Sequence, residues 1–172
     1  LRKNICFENS FFAPDEILKE NAILAHGEEY YDQLLGLTLS KADQRQIGFP
    51  LTKSHVKRER TIAQGSIQNT QYAFEYGISM NVAGGTHHAF KNKPGAFCMF
   101  NDQAIAANFL IENKLAKRVM IVDLDVHQGN GTASIFENNN NVYTLSFHGK
   151  KNYPFVKQNS DFDLALDDGT TD

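Results

Sequence analysis

The sequence predicts an α/β fold on a mainly parallel sheet, and three observations carry that expectation. Short apolar runs at residues 78–83, 118–123 and 142–147 read as buried strands. Helical patterns separate them, and strands that alternate with helices imply βαβ units and a parallel sheet. Two of these runs lead directly into polar loops, Gly84-Gly85-Thr86-His87-His88 and Asp123-Leu124-Asp125-Val126-His127. In open α/β sheets the carboxyl ends of strands are where ligands bind.

Taken in order, Pro14-Asp15-Glu16 should open a helix through roughly Ala25, and residues 28–37 read as a second. Ser54 is the expected N-cap of a long helix, with Ile62, Ile67, Tyr72, Ala73 and Tyr76 along its apolar stripe and Gly77 closing it. The strand at 78–83 follows, then the loop with the paired histidines. Asn101 should cap a helix over 101–114 that carries Ala104, Ile105, Ala107, Leu110 and Ile111. After the strand at 118–123 come the Asp/His loop and a short helix from Thr132 to Phe136. Asn138 to Asn141 make a turn into the strand at 142–147.

With 172 residues the chain fits one domain, residues 1–172, long enough to bury a core. Its 17 basic and 20 acidic residues give a net charge of −3, so no broad basic face points to nucleic acid. Lys53, Lys57, Arg58 and Arg60 form the densest basic cluster and read as the solvated side of the long helix. No apolar run approaches the length of a membrane span, and no signal segment opens the chain. Cys6 and Cys98 are too few for a disulfide framework, which implies a reducing, cytoplasmic setting. No internal repeat or interdomain linker is present.

The chemistry concentrates in Ile121 to Thr132. Two carboxylates and an imidazole at alternate positions (Asp123, Asp125, His127) are donors that divalent zinc accepts. Gly129 and Gly131 allow close backbone approach. A single Asp after a strand is ordinarily a helix cap; Asp-x-Asp-x-His followed by Gly-Asn-Gly asks for more. The adjacent His87 and His88 can tune each other's protonation and serve as acid and base near neutral pH.

The set GGTHHA (84–89), FCMFND (97–102) and VDLDVHQGNGT (122–132) resembles the zinc-dependent histone deacetylase family. That family includes bacterial deacetylases, acetoin-utilisation proteins and acetylpolyamine amidohydrolases. The resemblance covers nearly the whole chain: His26-Gly27-Glu28-Glu29-Tyr30 is similar to an early His-x-x-Glu-Tyr segment, and Ile47-Gly48-Phe49-Pro50 to the class IV-like branch. It implies the arginase-like three-layer α/β fold, incomplete in this chain.

The resemblance also implies roles. One zinc would be held by Asp125, His127 and a second Asp. His87 and His88 would do the acid–base work, with His88 the proton shuttle, Asp123 orienting His87 and Asn130 beside His88. Many relatives carry Asp at that last position, and the class IV-like branch shares the Asn. An amide cannot lend the negative charge that raises an imidazole's pKa, so a shifted pH optimum is expected. Phe97 would form one wall of a narrow acyl-lysine tunnel and Tyr153 or Phe155 the other. Ala96, where many relatives have Gly, would act through its backbone carbonyl. Asp123, Asp125, His127, Ser146 and Phe147 resemble the family's structural potassium site, built largely from backbone carbonyls.

The third zinc ligand and the tyrosine that stabilises the oxyanion fall beyond Asp172 in relatives, and the start resembles a domain lacking its first strand. The chain is therefore expected to be a fragment, inactive alone, whose open sheet edge favours association with a neighbour or a second copy. The leading expectation is removal of acetyl or longer acyl groups from lysine side chains or related acetylated amines. A dimanganese arginase-type hydrolase would need a further carboxylate two positions after His127, where Gly129 stands. A catalytically incomplete scaffold or interaction fragment is the non-enzymatic alternative.

Overall fold

Parallel strands cannot be joined by a tight turn, so neighbouring strands need crossovers. In the computed structural model, which describes residues 10–171, β1 (Val119–Asp123) runs parallel to β2 (Val142–Gly149) across the helix α6 (Asn130–Phe136). β2 in turn pairs in parallel with β3 (Phe162–Leu166), giving the order β1-β2-β3. The register sets Asp123 opposite Ser146, which places the carboxyl end of β1 beside the middle of β2. The fold class is α/β with a parallel sheet, as the alternation of strands and helices predicts.

The remaining helices are α1 (Lys19–Ala22), α2 (Glu28–Gly36), α3 (Lys41–Ile47), α4 (Lys53–Tyr76) and α5 (Asp102–Glu112). Tyr31, Leu34, Ile47, Ile67, Phe100 and Ile105 form the deepest part of a core that reaches the sheet through Ile121, Phe136 and Val142. Tyr30 keeps its hydroxyl satisfied in that core by donating to the Met99 carbonyl at 2.7 Å. Alternate residues of β1 and β2 (Ile121, Asp123, Thr144, Ser146) turn toward this helical side. Met120, Val122 and Tyr143 face the other way and are exposed.

Several boundaries differ from the sequence expectation, each for a local reason. The segment 78–83 is no strand: no described strand pairs with it, and residues 82–83 form a turn. Ser79 and Asn81 bond to α4, through the Asn69 carbonyl at 3.0 Å and the Ile62 carbonyl at 3.0 Å, while Ile78, Met80 and Val82 project outward. The helix expected from Pro14 begins only at Lys19. The Ile17 N–H donates to the Arg60 carbonyl at 3.2 Å, and Arg60 Nη2 donates to the Ile17 carbonyl at 2.9 Å. Arg60, which also pairs with Glu16, is thus a tether and not part of a solvated face.

Thr52, and not Ser54, caps α4 by accepting the His55 N–H at 3.3 Å. Gly77 ends that helix at φ +82°, a conformation favoured by glycine. Two elements have no counterpart in the sequence reading: α3, capped by Ser40, whose Oγ accepts the Asp43 N–H, and the exposed strand β3. Cys6 and residues 1–4, where the sequence resembles a domain lacking its first strand, lie outside the described residues. Among the described residues no helix is long and apolar enough to cross a membrane.

Candidate functional site

β1 ends on Asp123, and the chain then bends tightly through residues 124–129 before α6 starts. Asp123 turns inward and uses both carboxylate oxygens. Oδ1 accepts the Asp125 N–H at 3.0 Å, and Oδ2 meets His87 Nδ1 at 2.5 Å. Gly129 is required here, since a Cβ would come within 2.2 Å of Asp123 Oδ2. Asp125 and His127 turn outward. Asp125 Oδ1 accepts the His127 N–H at 2.7 Å and faces His127 Nδ1 at 2.9 Å. Burial raises the Asp125 carboxyl, but the bond from the His127 N–H and the nearby imidazoles of His87 and His127 outweigh it, so its pKa is lowered overall.

His88 lies beside His87, with ring centroids 4.1 Å apart, and its Nδ1 meets Asn130 Oδ1 at 2.7 Å. An amide oxygen only accepts, so Nδ1 carries the proton and Nε2 keeps its lone pair. Burial, followed by the neighbouring His87, brings the His88 pKa down to about 4. The Asn130 amide opposes this only in part. The two imidazoles thus have different partners: a carboxylate for His87 and a neutral amide for His88.

Tyr153 closes one side, edge-on to His88 at 5.0 Å and to His127 at 6.2 Å. Phe155 points away and is 89% exposed. Phe97 projects at φ +68° from a turn closed by Gly95 and Cys98, which packs on His88; a Cβ on Gly95 would meet the His88 carbonyl at 2.3 Å. The Phe97 ring leans on Phe49 of the Ile47–Pro50 corner, 5.0 Å between centroids. The Ala96 carbonyl faces Cys98 Sγ at 3.4 Å. Ser146 meets His148 Nδ1 at 3.1 Å, and the Phe147 ring packs tilted against Phe162 with centroids 6.2 Å apart.

Sequence reading gave Asn101 as a helix cap but missed its hold on the histidine segment, and it missed Gln128 altogether. Asn101 caps α5 through the Ala104 N–H at 3.0 Å, and its Nδ2 donates to Thr132 Oγ1 at 2.9 Å and to the Ala89 carbonyl at 3.2 Å. Gln128, fully buried, ties the Asp/His loop to residues 158–163 by donating to the Gln158 carbonyl at 2.7 Å and to Asp163 Oδ1 at 2.8 Å. The only signal for either is a polar residue inside a motif already marked for other reasons.

A carboxylate and an imidazole on adjacent alternate residues are suitable zinc donors, whereas a catalytic zinc takes three protein ligands. Among the described residues no three His, Cys, Asp or Glu side chains converge as a metal site. Asp125 and His127 therefore fit two of the positions required.

The histone deacetylase domain family matches residues 1–171. An uncharacterized protein of Picosynechococcus sp. is 45% identical over 149 residues, covering 87% of this chain and 50% of the relative. Histone deacetylase 2 of Arabidopsis thaliana is 29% identical over 162 residues, covering 86% of this chain and 40% of the relative. The solved structure of an HDAC homolog from Aquifex aeolicus shares the fold with a TM-score of 0.81 at 24% identity, covering 96% of this chain and 50% of that one. The chain thus spans about half the length of the relatives it matches.

Proposed function

As the chain belongs to the histone deacetylase domain family, we propose that the intact protein is a zinc-dependent amidohydrolase that removes acetyl or longer acyl groups from lysine side chains or related acetylated amines. One observation carries the reading. The pairs His87–Asp123 and His88–Asn130 stand at one strand end, with the His127 ring 5.9 Å from His88. The proposed base and the two proposed metal donors therefore lie side by side.

Asp125 and His127 would hold the zinc together with one further ligand, and the ion would supply Lewis-acid activation of the acyl carbonyl and the attacking water. His88, neutral at pH 7, presents the lone pair of Nε2 as the proton acceptor. Asp123 fixes the tautomer and orientation of His87 and stabilises the charge that develops on the pair. Tyr153 and Phe97 supply apolar surface for the alkyl part of the substrate; the ring contacts of Tyr153 favour it over Phe155 for the wall nearest the histidines.

The test is metal content and turnover of an acetyl-lysine peptide by the intact protein. One zinc per chain is expected, with activity abolished by His127→Ala and lowered about 10²-fold by His88→Ala. Two bridged manganese ions per chain, or turnover unaffected by either change, would overturn the reading. Residues 1–172 by themselves offer two of the protein donors and are expected to show no turnover.

A further inference from the structure

Resting on the proposed deacylation, we infer that Asp102 is a positioning residue that sets the paired histidines through the turn preceding them. Asp102 is the first residue of α5, yet its side chain accepts no hydrogen bond from its own helix, where Asn101 provides the cap. Instead the carboxylate is 1% exposed and reaches back to the turn Gly84–Thr86. Oδ1 accepts the Thr86 N–H at 2.7 Å and the Thr86 hydroxyl at 2.7 Å. The Gly85 N–H is shared between both oxygens at 3.1 Å, and Ser66 of α4 donates to Oδ2 at 2.5 Å. Every neighbour that touches this carboxylate through a hydrogen bond is a donor.

The geometry explains why the turn takes one shape. Gly85 sits at φ +96°, and a Cβ on Gly84 would come within 2.6 Å of Asp102 Oδ2, so the backbone wraps directly over the carboxylate. His87 follows Thr86 immediately. On its far side the His87 carbonyl accepts the Thr132 N–H at 3.1 Å, and Asn101 reaches the Ala89 carbonyl. Asp102 and Asn101, adjacent in sequence, therefore hold the histidine segment from opposite ends. Ser66 extends the hold to α4, and Asn81 Nδ2 donates to Ser66 Oγ at 2.8 Å. Among the described residues the turn has no other side-chain anchor of this strength, since bonds to a charged acceptor are roughly twice as strong as neutral ones.

Asp102→Asn keeps the volume but places an amide N–H₂ where donors already point, so at least one contact becomes donor against donor. A displacement of about 1 Å at catalytic groups can cost about 10²-fold in rate. In the intact protein, Asp102→Asn is expected to lower kcat on an acetyl-lysine peptide by about 10²-fold, with KM changed less than about twofold. Thr86→Val should lower kcat in the same direction by about tenfold, and Thr86→Ser, which keeps the hydroxyl, should restore it.

A second measurement needs no substrate. The His87 Nδ1 proton, bonded to Asp123 at 2.5 Å, should give a far-downfield NMR signal that is retained in Thr86→Ser and lost in Asp102→Asn. Folded Asp102→Asn protein with unchanged kcat and an unchanged His87 proton would overturn the proposal, as would Thr86→Ser performing no better than Thr86→Val. If the unsubstituted protein turns over no acyl-lysine, the functional reading fails, and the ring-proton measurement still decides the positioning role.

Discussion

His26 is buried between the Phe90 carbonyl and the Asn101 N–H, and these two contacts specify one protonation state. Nδ1 faces the carbonyl at 3.0 Å and Nε2 accepts the N–H at 2.9 Å, so the ring must be the neutral Nδ1–H tautomer. Burial lowers its pKa from 6.5 to about 4, with the Phe90 carbonyl opposing. Between those values the unfolded chain binds more protons, so stability is complete above about pH 6.5 and lost as pH falls toward 4. The full effect is about 3 kcal/mol, from the free energy of one pKa unit. Urea unfolding at pH 7 and pH 4.5 should show this loss, and His26→Gln should flatten it; a pH slope indifferent to the substitution would contradict the account. Asn130 gives the second prediction at this scale. Asn130→Asp puts a carboxylate against His88 Nδ1, which raises that imidazole's pKa. The acidic limb of the kcat/KM profile should therefore move to higher pH, and superimposable profiles would remove Asn130 from the mechanism.

The elements differ in how tightly they constrain the site. α6 presses its first turn onto the histidine segment: a Cβ on Gly131 would lie 2.3 Å from the Ala89 carbonyl oxygen and 2.6 Å from the His88 carbonyl carbon. Both are backbone atoms that cannot swing away. Gly131→Ala should therefore cost roughly 1–3 kcal/mol, the usual scale of overpacking, and shift His88 along with α6. Gly36, in the last turn of α2, is the contrast, since a Cβ there meets only Thr38 at ordinary contact distance. Gly36→Ala should be neutral or stabilising by about 0.4–1 kcal/mol, by restricting the unfolded chain. Thermal melts of the two variants should move in opposite directions, and equal destabilisation would show that the backbone contact at α6 is not the limiting one.

For the molecule as a whole, the sheet has one face under helices and one open among the described residues. Met120 and Val122 on β1 and Leu124 just after it are between 50% and 71% exposed; separately, Ile78, Met80 and Val82, which follow α4 in the chain, are more than 80% exposed. β1 also has a free hydrogen-bonding edge among the described strands. An apolar surface beside a free strand edge is a template for association. Residues 1–172 expressed alone should bind a hydrophobic dye and show a concentration-dependent mass, and Met120→Lys with Val122→Glu should reduce both. A monodisperse monomer that binds no dye would mean that this face is covered by residues outside those described.

The sequence by itself determined what is local. The apolar strand runs at 118–123 and 142–147, the Asn101 cap, the Gly77 stop and the polar Asp/His loop after β1 are each set by residues within a few positions of one another, and all appear in the structure. The juxtaposition of His87 with Asp123 and of His88 with Asn130 was expected only through family resemblance, because 36 and 42 residues separate the partners. Tertiary structure decided the rest. Residues 78–83 have the composition of a strand and lack a described partner, and a strand exists only by pairing. Residues 14–18 have a helix-start pattern, and Arg60 holds them extended. Asp102 entered the sequence reading only as the last residue of the FCMFND motif, with no role of its own. Its carboxylate was assigned to the histidine turn only when α4, α5 and that turn were packed together, because a buried charge must find its donors wherever the fold brings them.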